Sequence, residues 1–195
     1  MTSELAPYRI LVAVTGSVAA IKLPLLVRLL REKAQDRAVE IRVVTTEHAR
    51  HFYNEQEVDA NIYGESHEWQ AWKSVADPVL HIELRRWAQI MVIAPLDANT
   101  LAKLANGLCD NLLTCIARAW DSDRPVLVCP AMNTHMWTHP FTARHLDILR
   151  DMLGWRVCGP ISKRLACGDV GEGAMAEAET IATTVWEMLG NLICI

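Results

Sequence analysis

Residues 9–17 read "RILVAVTGS". A short, continuous apolar run rich in β-branched side chains suits a strand covered on both faces, as in a parallel sheet. The run stops at "TGS". From Val18 the apolar positions Ile21, Leu25, Leu26, Leu29 and Leu30 recur at a helical period. Pro24 inside that pattern predicts a kink or a second helix start. The same strand-then-helix order continues down the chain. "EIRVVTT" (40–46), "QIMVIAP" (89–95), "RPVLVCPA" (124–131) and "WRVCGP" (155–160) read as strands. Helical patterns cover 47–53, 78–88, 99–120 (broken near Gly107), 139–153 and 176–190. Residues 54–78 are less regular, with Asp77-Pro78 as a turn. About five strands alternating with helices, with neither repeats nor a linker, predict a single three-layer α/β domain with a parallel sheet.

A chain of 195 residues can bury one real core. Its apolar runs all fall short of the roughly 20 residues that cross a bilayer. "MTSELAPYRI" lacks the basic-then-apolar layout of a secretory signal. A soluble, cytoplasmic protein is expected. The net charge of -4, with no basic stripe interleaved with aromatics, argues against a nucleic-acid surface. Six cysteines form neither C-x-x-C pairs nor zinc-finger spacings with histidine. His135 and His139 are four apart, but Pro140 follows at once and a third ligand at helical spacing is missing, so no metal is expected. Only Cys167, in "LACGDVGEGAM" (165–175), has glycine-rich surroundings. By its residues alone it is a spare core thiol, a metal ligand or a reagent on a lid.

Ligands of parallel α/β sheets bind beyond the carboxyl ends of the strands. Four such ends carry polar residues here. "TGSVAA" (15–20) offers Gly16 for close backbone approach and Ser17 as a helix cap at an anion-favouring N-terminus. Thr45 and Thr46 end the second strand as hydroxyl donors or plain caps. "LDANT" (96–100) brings Asp97, Asn99 and Thr100 to a helix start, and "AMNTHMW" (131–137) brings Asn133. Together they suggest a phosphate-bearing cofactor across the sheet edge. His81, in "DPVLHIELRRW", is either a structural histidine or a catalyst. Arg85 and Arg86 hold an anion or face solvent.

Taken in order, "TGSVAA", "HIELRRWA", "APLDANTLAKLANGLCDNLLTC", "PAMNTHMW" and "LACGDVGEGAMAE" closely resemble the phosphopantothenoylcysteine decarboxylase family of coenzyme A biosynthesis. That family belongs to the homo-oligomeric flavin-containing cysteine decarboxylases, with the plant and yeast halotolerance proteins. The resemblance runs from about residue 9 to 188, which makes that span the core of a 1–195 flavoprotein domain. It implies a Rossmann-like (flavodoxin-like) fold, usually a homotrimer, with FMN held between subunits. Gly16, Ser17 and Val18 match the phosphate-binding turn, and Thr46 and Phe52 match cofactor contacts. Asp97, Ala98, Asn99 and Thr100 match the flavin-contacting signature, with Ala131 beside it. That signature is proline-alanine-serine-alanine-asparagine-threonine in the family and "PLDANT" here, so leucine and aspartate replace alanine and serine.

His81 matches the active-site histidine and Asn133 the residue gripping the substrate carboxylate. Cys167 matches the cysteine of a flexible flap over about 163–177, with Arg164, Ala166 and Met175 as substrate contacts. The implied reaction is FMN-dependent decarboxylation of 4'-phosphopantothenoylcysteine to 4'-phosphopantetheine. Oxidation of the thiol-bearing carbon gives a thioaldehyde, CO2 leaves, and the enethiol is reduced again. Cys167 is then the last proton donor, and the glycines at 168, 171 and 173 let the flap close. Two other readings stand beside it: a non-catalytic subunit that binds a protein phosphatase, and a related flavoprotein acting on another substrate.

Overall fold

The computed structural model describes residues 6–34, 37–164 and 170–193. The apolar run of the first strand lies in β1 (Tyr8–Val14), buried from Ile10 onward. The next strand is β2 (Val39–Thr45), followed by β4 (Ile90–Leu96), β5 (Val126–Pro130) and the short β6 (Arg156–Val157). A three-residue strand, β3 (Asn61–Tyr63), joins them at the edge, giving a parallel sheet ordered β3-β2-β1-β4-β5-β6. The sheet thus has six strands where the sequence pattern predicts about five. The extra strand lies in the segment read as less regular, which also folds a helix, α2 (Glu65–Ala71).

Alternate side chains of the buried strands feed two cores, as two-sided burial requires. Ile10, Val12 and Val14 pack with Leu26 and Leu30 of α1 (Leu23–Glu32) and Ile181 and Val185 of α8 (Ala178–Ile193). Leu11 and Ala13 pack on the other face. There they meet Leu84 of α3 (Leu80–Trp87), Leu101 of α4 (Ala98–Ala105) and Leu112 of α5 (Leu112–Arg118). This is the three-layer, Rossmann-like arrangement expected. Pro24 marks a second start. Val18–Lys22 is a separate 3-10 turn, and α1 begins at Leu23 with the proline in its first turn, where its missing N–H costs nothing. The helical pattern of 99–120 is two helices, with Gly107 between them at φ 70°.

After β5 come α6 (Thr134–Trp137) and α7 (Pro140–Asp147), the latter prolonged by a π-helical turn to Met152. Beyond β6 the chain forms an antiparallel pair outside the main sheet, β7 (Ile161–Arg164) with β8 (Val170–Ala174). Among the described residues no helix is long and apolar enough to cross a membrane.

Candidate active site

Strand order reverses between β1 and β4, so the connections leaving their carboxyl ends run to opposite sides and open a crevice. Fully buried Thr15 binds its two rims together. Its hydroxyl donates to the Pro95 carbonyl at 2.8 Å and accepts from the Asp97 N–H at 2.8 Å. Gly16 follows at the closest approach of three loops. A Cβ there would lie 2.8 Å from the His48 Cβ and 3.3 Å from the Asp97 carboxylate, so only glycine fits without displacement.

Ser17 caps the Val18–Lys22 turn through the Ala19 N–H. Asp97 caps α4, accepting from the Thr100 N–H at 2.6 Å. A serine in that place caps a helix equally well, so the departure from the family signature preserves the local fold and adds one negative charge beside Gly16. Thr46, just past the end of β2, has its hydroxyl buried and, among the described residues, without a hydrogen-bond partner. Val18 and Asn99 are exposed, Ala98 and Phe52 partly so, and Thr100 is buried. An orphaned hydroxyl, a helix cap and a glycine where loops converge suit a phosphate-bearing cofactor.

The β5 end supplies the next wall. Ala131 is buried, its N–H bonded to the Leu96 carbonyl at 2.9 Å. Asn133 caps α6, accepting from the His135 N–H at 2.8 Å, which fixes its amide. The β7–β8 pair docks here. The Met132 N–H donates to the Gly173 carbonyl at 2.9 Å, and Trp137 Nε1 donates to Glu172 at 3.1 Å. Gly173 has φ 136°, and a Cβ on it would meet the Met132 carbonyl oxygen at 2.3 Å. A Cβ on Gly171 would meet the Thr134 hydroxyl at 2.7 Å. These two glycines are therefore docking points, beyond any freedom they lend a flap. Cys167 and Ala166, and the side chain of Arg164, lie outside the described residues. Met175 is buried in the core shared by α1 and α8, which gives it a packing role.

His81 is at the same edge of the sheet but in the α3 layer. A helix leading into a parallel strand starts at that strand's carboxyl-end side, and His81 is in the first turn of α3, ahead of β4. Its Nδ1 bonds to the Glu68 carboxylate on α2. Glu68 escaped the sequence reading, as did Thr15. The nearby Cys115 thiol is pushed up to about 11, first by burial and then by the Glu68 charge. Arg85 does hold a carboxylate, the chain's own Asp121, and donates to the Ala119 carbonyl at 2.8 Å. Arg86 pairs with Glu83 on the surface. His139 caps α7 and stacks on Phe141. Among the described residues no group of three His, Cys, Asp or Glu is placed to hold a metal.

The flavoprotein family model matches residues 1–190. The chain belongs to the flavoprotein family. Phosphopantothenoylcysteine decarboxylase of Mus musculus is 55% identical over 97% of this chain and 91% of its own. A solved PPC decarboxylase, a cysteine-to-serine mutant complexed with pantothenoylaminoethenethiol, is 51% identical. It superposes with a TM-score of 0.90, covering 95% of this chain and 100% of that one. The FMN binding protein AtHal3 is also 51% identical, with a TM-score of 0.86 over 95% of this chain and 98% of that one.

Proposed function

We propose that this flavoprotein is an FMN-dependent phosphopantothenoylcysteine decarboxylase. The observation that carries the reading is the solved relative, a PPC decarboxylase similar over 95% of the chain and complexed with pantothenoylaminoethenethiol. The crevice supports it from this chain's own residues. Gly16, Ser17 and Val18 would take the FMN phosphate, with the orphaned Thr46 hydroxyl and Phe52 beside them. Asp97, Ala98, Asn99, Thr100 and Ala131 would line the flavin. When bound, FMN supplies a reversible two-electron sink for the thiol-bearing carbon of the substrate.

The protein's part is positioning and proton movement. Asn133, held by its cap, grips the carboxylate that leaves as CO2. His81 positions or deprotonates the substrate thiol. Cys167 returns the last proton, and Arg164 and Ala166 hold the substrate under the segment that carries them. The β7–β8 pair, docked on Met132 and Trp137, shields this side from water. A homotrimer with FMN between subunits fits the apolar side chains left exposed beside the crevice, Val18 and Ile21. It fits also a cavity of about 630 Å³ between α4 and α7, lined by Leu101, Met136 and Phe141. A cytoplasmic location accords with four free cysteines among the described residues.

The purified protein is expected to be yellow and to release CO2 from phosphopantothenoylcysteine. Cys167→Ser should still release CO2 but accumulate the enethiol. A colourless protein that refuses FMN, or full turnover by Cys167→Ser, contradicts the reading.

A further inference from the structure

We propose that Glu68 is a positioning residue for His81, holding the imidazole in the tautomer with its proton on Nδ1 and its lone pair on Nε2. The proposal rests on the role given to His81 above. The two side chains meet between α2 and α3, with Glu68 only 12% exposed and His81 27% exposed, so water competes weakly for the contact. A carboxylate is an acceptor only, so the shared proton must sit on Nδ1 when the histidine is neutral. The second nitrogen is then the basic one, the form required to take a proton from a thiol. Once Nε2 is protonated, the same carboxylate faces an imidazolium and steadies it.

The neighbouring acids have other work. Glu65, one turn earlier on α2, accepts from the Leu112 N–H at 2.7 Å and from Trp69 Nε1 at 2.9 Å, tying α2 to the start of α5. His67 accepts the Gly64 N–H at 3.0 Å. On α3 itself, Glu83 pairs with Arg86. Glu68 is thus the carboxylate that α2 devotes to His81, and Glu65 anchors the helix that carries it.

The test is a comparison of Glu68→Gln, Glu68→Asp and His81→Asn in the FMN-loaded protein. In ¹⁵N-histidine spectra without substrate, the signals missing from His81→Asn identify His81 among the seven histidines. The wild type is expected to show a protonated Nδ1 and an unprotonated Nε2. Glu68→Gln should lose that pattern, because its amide can donate to Nδ1 and favour the opposite tautomer. Its kcat should fall on the order of 100-fold or more, with KM within threefold, as when a triad carboxylate is replaced by an amide. Glu68→Asp should recover part of both. Wild-type spectrum and kcat in Glu68→Gln, with His81→Asn inactive, would overturn the proposal and leave the decarboxylase reading standing. Full CO2 release by His81→Asn would instead remove His81 from the mechanism, and the proposal with it.

Discussion

The two sides of the crevice are built differently. On the Gly16 side, β1 and β4 are joined by the fully buried Thr15 through two hydrogen bonds of its hydroxyl, and Gly16 sits where a single methyl group would collide. On the β7–β8 side, the contacts among the described residues include the Met132 N–H to the Gly173 carbonyl, Gly171 close against Thr134, and Trp137 Nε1 to Glu172. Glu177, which follows, is held by Lys22 and Lys163, and those ion pairs keep its carboxyl below the usual range although it is exposed. Exposed ion pairs of this kind contribute little. The Gly16 side is therefore tied directly into the sheet, whereas the β7–β8 pair lies outside the sheet's register.

The largest expected contrast is chemical. Cys158, at the base of the β7–β8 pair, is lowered to about 7, chiefly by a hydrogen bond from Cys129, whereas Cys115 on α5 is raised to about 11. At pH 8 the first is mostly thiolate and the second almost wholly protonated. Iodoacetamide should therefore label Cys158 on the order of 100 times faster, and the labelling should slow as the pH drops below about 7. Peptide mass mapping reads the ratio, and equal rates would erase the distinction.

Gly173→Ala comes next. The clash with the Met132 carbonyl and the unfavourable φ should undock the pair and cut turnover roughly 100-fold, with FMN absorbance unchanged. Gly16→Ala is its mirror image: FMN affinity, read by fluorescence titration, should fall about 10-fold with the β7–β8 pair still docked. If both variants lost FMN equally, the two sides would not be separable. Thr15→Val should cost about 1–3 kcal/mol in chemical denaturation by leaving the Asp97 N–H unpaired and the Pro95 carbonyl with only the backbone N–H of residue 15 as donor. The smallest effect belongs to Asp97→Ser. It keeps the cap on α4 and removes a charge from beside Gly16, so FMN should bind about 2–5-fold more tightly.

The division between the sides also marks what could be read from the chain. Strands β1, β4 and β5 are buried on both faces and β2 largely on one, so they announce themselves as apolar runs, and the polar residues at their ends follow from sheet geometry. Strand β3 is three residues on an edge, and "ESHEWQA" shows no apolar face because α2 buries none of its side chains completely. The β7–β8 pair escaped because Gly171 and Gly173 suggest freedom in sequence, whereas here they permit close docking. Glu68 and His81 are thirteen positions apart across that same irregular stretch, and no spacing rule joins them. Thr15 lies inside the quoted "TGSVAA", yet its partners are eighty and eighty-two positions away.

Because the β7–β8 segment hangs from a complete sheet and takes no place in its register, it behaves as an interchangeable fitting. A different insert between Pro160 and Met175 that still offers a carbonyl to the Met132 N–H could be grafted while Met175 and Ala176 stay in the core. On the proposed function, such a graft is expected to change which thiol is accepted while FMN stays bound.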